Sequence, residues 1–370
     1  MKVRQGTENR HVSRREMIGR LAAGLGAVSV LRSDLAFAGG AGQAPASATS
    51  TVQTVLGPVG TSNLGFTLSH EHITATSPGL RQAWPELFGD RAQFVNDTVD
   101  TLKQAKDEGV DSLVDVTTFD LGRDIRLMEE ISRKSGVQVI ACTGHWVDGS
   151  FSMNARTVQE LVEFFTREIE VGIEDTDIKA GVIKVANGGE ITEFGEKVLR
   201  AAAQVSRATG VPITTHAPAG NRIGERQAAI FEAEGLSPSK ACIGHSDDSR
   251  DQSYTLGLAR RGYHISMDHV SRSAPAPGAA DGPPTLEERM MVVKAHVDAG
   301  WPERIMLGND WLFAATLFPT AAIPDQLAQN PDGVLFVTRK ALPALRALGV
   351  TDQAIRAMTV DGPKRFFDGV

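Results

Sequence analysis

The sequence predicts an α/β fold, a single-domain (β/α)8 TIM barrel over residues 52–370. From residue 51 onward, eight short apolar segments alternate with amphipathic segments of helical period. The apolar segments are rich in Val and Ile and largely lack alternation, as is typical of parallel strands buried on both faces. Eight such repeats favour a closed barrel, which needs roughly 250 residues. A doubly wound sheet is the alternative, but no Gly-rich phosphate loop follows the first strand.

The predicted strands follow one another at regular intervals. We expect strands at residues 66–72, 112–118, 138–144, 181–186, 212–217, 241–246, 264–269 and 305–310. The helices between them carry apolar residues three and four positions apart. The expected left-handed caps at helix ends are Gly109, Gly136, Gly210, Gly262 and Gly300. Residues 52–59 are expected to form a small hairpin at the bottom of the barrel.

The first 38 residues have the pattern of an export signal. Arg14 and Arg15 form a twin-arginine pair, a mildly apolar segment covers residues 21–31, and Ala36-Phe37-Ala38 is a small-residue cleavage pattern. We therefore expect residues 1–38 to engage the twin-arginine export machinery, and the mature protein to be periplasmic or secreted. No cysteine follows the apolar segment, so no lipid anchor is expected. Residues 39–51 are expected to form a flexible linker.

The composition excludes several kinds of partner. The formal net charge is −7 and the body of the chain has no basic block, so we expect no nucleic-acid partner. No run of about 18 apolar residues is present, so no transmembrane span is expected. Cys142 and Cys242 lie inside apolar runs and are expected to be buried thiols, since two cysteines do not make a disulfide framework.

Side chains able to bind metal ions lie at the ends of the predicted strands. In such barrels the active site lies at the carboxyl ends of the strands. His70 and His72 are two residues apart on one strand and should therefore point to the same face. Imidazole and carboxylate groups are ligands that zinc prefers in hydrolytic sites. The set at these strand ends is His70, His72, Lys184, His216, His245, His269 and Asp310, which predicts a metal-dependent hydrolase.

Lys184 lies inside the apolar segment Gly-Val-Ile-Lys-Val-Ala, where a charged amine is costly to bury. One interpretation is a core lysine paired with a carboxylate. The other is a neutral amine, with its pKa lowered by burial, that captures CO₂ as a carbamate. Such a carbamate would be an anionic ligand able to bridge two metals. The residues alone leave both interpretations open.

The candidate metal ligands lie in five sequence segments: Gly-Phe-Thr-Leu-Ser-His70-Glu-His72, Gly-Val-Ile-Lys184-Val-Ala, Thr-Thr-His216, Cys-Ile-Gly-His245-Ser-Asp-Asp and Asn-Asp310-Trp-Leu-Phe. Together they resemble the bacterial phosphotriesterases, the organophosphate (parathion) hydrolases of the amidohydrolase superfamily. The similarity runs from about Val52 to Phe367 and includes stretches without catalytic residues, such as Ala-Trp84-Pro-Glu. The resemblance implies the same barrel fold and, commonly for that family, a homodimer.

The resemblance also implies a binuclear metal centre. The ligands would be His70, His72 and Asp310 for one metal, and His216 and His245 for the other. Lys184, carboxylated by CO₂ to N6-carboxylysine, and a hydroxide would bridge the two metals. Zinc is the expected metal, with cobalt or manganese as alternatives. Asp310 would accept a proton from the bridging water and pass it to His269 and then to Asp248.

By the same resemblance, several residues would shape the substrate pocket. Trp146 would line the leaving-group side, and the smaller pocket would be formed by Leu121, Leu312 and Ala75. The chain departs from the family's best-known members at three pocket positions, Arg272, Ala315 and Phe318. The loop of residues 273–287 is also shorter than theirs. These departures bear on the substrate preference rather than on the chemistry.

The implied reaction is hydrolysis of a neutral phosphotriester such as paraoxon, in which the bridging hydroxide attacks phosphorus. A lactonase with the same metal centre is the first alternative. Relatives with that activity have shorter loops after the seventh and eighth strands and usually a phenol near the first metal. The second alternative is a zinc-binding protein without turnover. Asp310 and His269 argue against it, because a storage site needs no proton acceptor and relay.

Overall fold

A hairpin and a curled sheet of parallel strands form the framework of the protein. The computed structural model describes residues 50–272, 282–314 and 328–370, all of which fall in one compact unit, Thr49–Val370. The strands are β1 (Thr51–Thr54), β2 (Gly57–Gly60), β3 (Phe66–His72), β4 (Val110–Asp115), β5 (Gln138–His145), β6 (Val182–Ala186), β7 (Ile213–His216), β8 (Ala241–Ile243), β9 (His264–Met267), β10 (Ile305–Leu307) and β11 (Trp311–Leu312). The predicted export signal, nearly all of the predicted linker, and the pocket positions Ala315 and Phe318 lie outside the described residues.

The parallel strands close into a barrel through a divided last strand. Strands β3 to β10 follow one another around the sheet in chain order, each parallel to the next. β10 pairs with β9, whereas β11, only three residues further along the chain, pairs with β3. β10 and β11 are therefore two parts of the eighth barrel strand, and together they join the last strand to the first. The predicted (β/α)8 barrel is confirmed.

Helices follow the strands and cover the outside of the barrel. They are α1 (Leu80–Ala83), α2 (Arg91–Asp107), α3 (Ile125–Ser135), α4 (Phe151–Asn154), α5 (Val158–Glu170), α6 (Glu193–Thr209), α7 (Ile223–Ala233), α8 (Gln252–Arg260), α9 (Leu286–Asp298), α10 (Leu342–Ala347), α11 (Asp352–Arg356) and α12 (Gly362–Asp368). Thr157 and Thr285 begin α5 and α9 with a capping box, in which the threonine hydroxyl accepts from the third helical N–H. The five glycines predicted as caps all have positive φ. In the described part of the chain, no helix is both long and apolar enough to cross a membrane.

Side-chain alternation along the strands divides the apolar core into two clusters. On β6, Ile183 packs in the large cluster shared with the helices, whereas Val182 belongs to a second cluster. Cys142 and Cys242 belong to that second cluster, on neighbouring strands, and both are buried free thiols as predicted. Because Lys184 has the same strand parity as Val182, its side chain also faces the barrel interior.

The hairpin lies where it was predicted, at the amino-terminal end of the barrel strands. β1 and β2 are antiparallel, with Val52 opposite Val59. Val55 N donates to Val139 O near the start of β5, at 2.8 Å. The hairpin therefore covers the end of the barrel opposite the carboxyl ends of the strands.

The predicted strands begin within two residues of the observed ones, but several extend too far at their carboxyl ends. β4, β8, β9 and β10 end at Asp115, Ile243, Met267 and Leu307, two or three residues before the predicted limits. Beyond β8 and β9, the N–H groups bond to side chains instead of to the next strand. His245 N donates to Asp268 Oδ1, and His269 N donates to Asp247 Oδ1. These site residues therefore lie just past the strands.

Candidate metal centre and active site

His70, His72 and Asp310 form a compact group of ligand atoms at the carboxyl end of the barrel. Nε2 of His72 lies 3.2 Å, and Nε2 of His70 lies 3.7 Å, from the same oxygen of Asp310, Oδ1. One donor atom from each residue lies within 4.8 Å of the other two. All three residues are buried. This arrangement suits one metal ion with two imidazole ligands and one carboxylate ligand.

Lys184, His216 and His245 lie beside this first group. Nε2 of His245 is 2.6 Å from Nδ1 of His216, and the fully buried Nζ of Lys184 is 2.9 Å from Nε2 of His70. The ring centroids of His70 and His245 are only 4.9 Å apart. The six predicted ligands, drawn from five strands of the barrel, therefore meet in one place.

Two of these residues have a backbone conformation that non-glycine residues rarely adopt. φ is +54° at His245 and +48° at Asp310, both in the left-handed region. Such conformations cost on the order of 1–3 kcal/mol and persist only where the surroundings hold them. His245 lies two residues beyond the end of β8, and Asp310 lies in the turn between β10 and β11.

Glu71 holds the turn that carries Asp310. Its Oε1 accepts from Asn309 N at 2.8 Å and from Asn309 Nδ2 at 2.9 Å, and its Oε2 accepts from Trp311 N at 3.0 Å. The residues on either side of Asp310 are thus bonded to one buried carboxylate from β3. Glu71 was not singled out from the sequence. Its position between His70 and His72 was the available signal.

Asp268 holds one histidine from each half of the centre. Its Oδ1 accepts from His245 N at 2.9 Å and lies 2.8 Å from His245 Nδ1, while its Oδ2 lies 2.9 Å from His70 Nδ1. Burial alone would raise the pKa of Asp268, but the two histidines hold it well below its usual range. The carboxylate therefore orients both rings so that each Nε2 faces the centre. The sequence placed Asp268 at a strand end but gave it no role.

A chain of polar contacts leads from Asp310 away from the centre. Asp310 Oδ2 lies 3.0 Å from His269 Nε2, and His269 Nδ1 lies 2.6 Å from Asp248 Oδ2. Burial and Arg272 disfavour a charged His269, but the Asp248 and Asp310 carboxylates outweigh them and raise its pKa to about 9. The predicted order of the relay is thus the order in which the side chains touch.

Arg289 on α9 closes this chain, and it was missed in the sequence. The side chain is fully buried, and Nη1 donates to Asp248 Oδ1 at 2.7 Å and to Asp247 Oδ2 at 3.1 Å. Nη2 donates to Arg272 O at 3.0 Å. A signal was present, because Arg289 is four residues before Val293 and so shares the buried face of the helix.

Arg272 reaches the centre from the loop after β9. Its Nη2 donates to Asp310 Oδ2 at 2.5 Å, so that Arg272 and His269 contact the same carboxylate oxygen. The side chain is 47% exposed. Burial alone would raise the pKa of Asp310, but Arg272 and the hydrogen bonds from His269 and His72 hold it well below its usual range.

Burial favours neutral imidazoles in the centre. It lowers the pKa of His70 to about 3, with Lys184 acting in the same direction, and it also lowers the pKa of His216 and of His245. Neutral imidazole is the form that binds metal ions. The donor set and its protonation therefore fit a pair of divalent cations.

Lys184 has no carboxylate partner among the described residues. Burial lowers the pKa of its amine to about 8, and its Nζ contacts His70 Nε2 rather than an acid. The neighbouring strand β5 approaches the main chain of Lys184 closely at Gly144. This glycine has φ +115°, and a Cβ there would lie 1.8 Å from Lys184 O. The interpretation as a core lysine in an ion pair is therefore not supported.

Those predicted pocket residues that the structure describes lie around the centre, on loops and on β11. The ring centroid of Trp146 is 4.6 Å from that of His216 and 5.7 Å from Lys184 Nζ, which places it on the His216 side. Leu312 pairs with His72 on the opposite side. Ala75 and Leu121 are buried there as well, on segments bonded to each other by Thr76 N and Leu121 O.

The sequence profile of the phosphotriesterase family matches residues 50–367, a range that contains the whole centre. The chain belongs to the phosphotriesterase family. Members of this family are hydrolases that depend on a pair of metal ions. The residues that fit such a pair here are the same six that the sequence singled out.

Relatives of this phosphotriesterase-family chain are similar over almost their whole length. It is 32% identical to the phosphotriesterase homology protein of Mycobacterium tuberculosis over 329 residues, which cover 86% of this chain and 97% of the relative. It is 32% identical to the aryldialkylphosphatase of Saccharolobus solfataricus, over 82% and 95% of the two chains. It is 24% identical to the N-acetyltaurine hydrolase of Homo sapiens, over 85% and 97%.

A solved structure agrees with the fold. The structure of the phosphotriesterase from Mycobacterium tuberculosis superposes with a TM-score of 0.78 at 32% identity and covers 86% of this chain and 98% of its own. The barrel fold is therefore shared, while the named activities of the relatives differ.

Proposed function

We propose that this chain is a binuclear zinc phosphotriesterase, an aryldialkylphosphatase that hydrolyses neutral organophosphate triesters such as paraoxon. The observation that carries the proposal is that the two oxygens of the Asp310 carboxylate face different groups. Its Oδ1 faces His70 and His72, and its Oδ2 faces His269. One carboxylate thus joins the group of ligand atoms to a path for protons. A site that only stores metal has no need for that second contact.

The ligands divide into two sets. His70, His72 and Asp310 would hold one metal, and His216 and His245 the other. We also propose that Lys184 is carboxylated and bridges them. Its burial, its contact with His70 and its lack of an acidic partner among the described residues support this. The metal pair would lower the pKa of a water molecule and polarise the phosphoryl oxygen. Zinc suits the imidazole-rich donor set, and cobalt or manganese could replace it.

The side chains then account for the movement of the proton. In the proposed reaction the oxygen of water forms a bond to phosphorus while the bond from phosphorus to the aryl oxygen breaks. The aryl oxide leaves with the bonding electron pair. Asp310 accepts the proton of the water and passes it to His269, whose other ring nitrogen faces Asp248. Trp146 would line the leaving-group side, and Leu121, Leu312 and Ala75 the side of the smaller ester groups.

The tyrosines favour a triesterase over a lactonase. The chain has two tyrosines. The hydroxyl of Tyr254 accepts from Gly224 N, and that of Tyr263 donates to Ala228 O, so neither phenol serves the centre. The test is kcat/KM for paraoxon and for an acyl-homoserine lactone on the same metal-loaded preparation. A higher value for paraoxon is expected, and a lactone value about a hundredfold higher, some 2.8 kcal/mol in transition-state binding, would overturn the assignment.

We further propose that the precursor is exported by the twin-arginine route and that the mature chain is a homodimer. The first part is supported by the Arg14-Arg15 motif and the second by the family resemblance. Export predicts that a variant with both arginines changed to lysine remains in the cytoplasmic fraction while the unchanged chain reaches the periplasm. A monomer mass in light scattering would contradict the dimer.

A further inference from the structure

Arg272 places a partly exposed guanidinium at the carboxyl end of the barrel. A guanidinium has five N–H donors. In the part of the chain that the structure describes, one side-chain hydrogen bond of Arg272 is present, to Asp310 Oδ2. The side chain is 47% exposed although it touches a carboxylate of the centre. Among the described residues the other donors have no partner, and the guanidinium lies beside the carboxylate that also faces His70 and His72.

Hydrogen bonds hold both the N–H and the carbonyl group of Arg272. Arg272 N donates to His269 O at 2.8 Å, and Arg272 O accepts from the buried Arg289 at 3.0 Å. Arg289 is itself bonded to Asp247 and Asp248, so it cannot shift freely. The main chain of Arg272 is thus held in place, and the contact with Asp310 positions its guanidinium, as a binding residue requires.

The acids around the centre are already paired. Asp310 contacts Arg272 and His269, and Asp268 contacts two histidines. Asp247 and Asp248 contact Arg289. Each of these four carboxylates has a histidine or arginine partner, which offsets part of its repulsion of an anion that enters beside Arg272. Since arginine matches phosphate oxygens with two parallel N–H bonds, the position suits a phosphate oxyanion.

We propose that Arg272 makes the centre accept phosphate diesters, monoanions that differ from the triester by the loss of one ester group. This inference rests on the proposed function, because triester hydrolysis itself releases a diester of the same charge, a dialkyl phosphate; the substrate proposed here is a diester that still carries its aryl group. The guanidinium contacts the charged oxygen of the diester. Water forms a bond to phosphorus, the bond to the aryl oxygen breaks, the aryl oxide leaves with its electron pair, and Asp310 accepts the proton. The product is a phosphate monoester.

The test compares paraoxon with ethyl 4-nitrophenyl phosphate, which has the same leaving group and one ethyl group fewer. In Arg272→Gln the ratio of kcat/KM for the diester to that for paraoxon should fall about 10- to 100-fold, as expected for the loss of a hydrogen bond to a charged group. Arg272→Lys, which keeps the charge, should lose less. Arg222→Gln is the matched control, since that arginine is equally exposed, at 47%, and follows another barrel strand. Its ratio should not change.

A binding measurement separates this inference from the proposed function. Titration calorimetry with diethyl phosphate, on protein whose metal content has been measured, should show weaker binding to Arg272→Gln than to the unchanged protein. An unchanged ratio together with unchanged diethyl phosphate affinity would overturn the role of Arg272. Absence of hydrolysis of either ester by the unchanged protein, with the loss of diethyl phosphate binding still seen in Arg272→Gln, would overturn the triesterase proposal and support the anion site.

Discussion

Replacing Arg289 by methionine should lower the free energy of unfolding by about 3–5 kcal/mol. The fully buried guanidinium makes four hydrogen bonds, to Asp247, Asp248, Pro284 O and Arg272 O. Asp247 is as buried as Arg289. Removing one partner of a buried ion pair leaves an uncompensated charge, which costs about 3–5 kcal/mol. Against a total stability of roughly 5–15 kcal/mol, this loss should be large enough to measure easily.

The assay is urea unfolding of the metal-free protein at pH 7.5, followed by circular dichroism. Arg339→Met provides the control, because Arg339 also binds two acids, Glu108 and Asp332, but on the surface with 38% of its side chain exposed. A surface pair contributes about 0–1 kcal/mol. If Arg289→Met is no less stable than Arg339→Met, the interpretation of Arg289 as the residue that holds the relay is wrong.

Three further substitutions probe the relay and the amino-terminal end of the barrel. With paraoxon as substrate, Asp310→Asn should reduce kcat/KM by about 10³-fold or more, and His269→Asn by only about 10-fold. The reason is that a water molecule can replace a relay residue but not a metal ligand. Equal losses in the two variants would contradict this order. His264 is fully buried, and burial, with Arg304 and Arg365 nearby, lowers its pKa to about 3. Its folded pKa is below the unfolded value of 6.5, so the stability it contributes is present above pH 6.5 and decreases as the pH falls. When the pH falls from 6.5 to 5, the free energy of unfolding measured in urea should decrease by about 2 kcal/mol more for the unchanged protein than for His264→Gln. An equal decrease in both proteins would show that His264 does not change its protonation on unfolding.

The fold and the ligand residues were predictable because they depend on local patterns. Short apolar strands repeat eight times, helices of regular period lie between them, and glycine caps end five of the helices. A parallel barrel then brings the carboxyl ends of its strands together. His70 and His72 are two residues apart, and both reach Asp310 as expected. Yet the pairing of β3 with β4 shifts register between Leu68 and Glu71, a detail that simple alternation does not contain.

The supporting residues were less predictable because their roles depend on contacts between distant segments. Glu71 and Asn309 are 238 positions apart, and Arg289 acts on Asp248 from a helix that the sequence only marked as amphipathic. The contact between Arg272 and Asp310 likewise depends on the course of a loop. Sequence patterns locate donors to the metals, whereas the groups that orient those donors become visible only in three dimensions.

The metal content of Lys184→Met tests the central claim most directly. The unchanged protein, prepared with zinc and bicarbonate, should contain about two zinc ions per chain and hydrolyse paraoxon. Lys184→Met should retain less than about one zinc ion per chain and lose about three orders of magnitude in rate, because the buried bridging ligand is gone. A Lys184→Met protein that keeps two zinc ions and the original rate would contradict the account of a lysine-bridged metal pair.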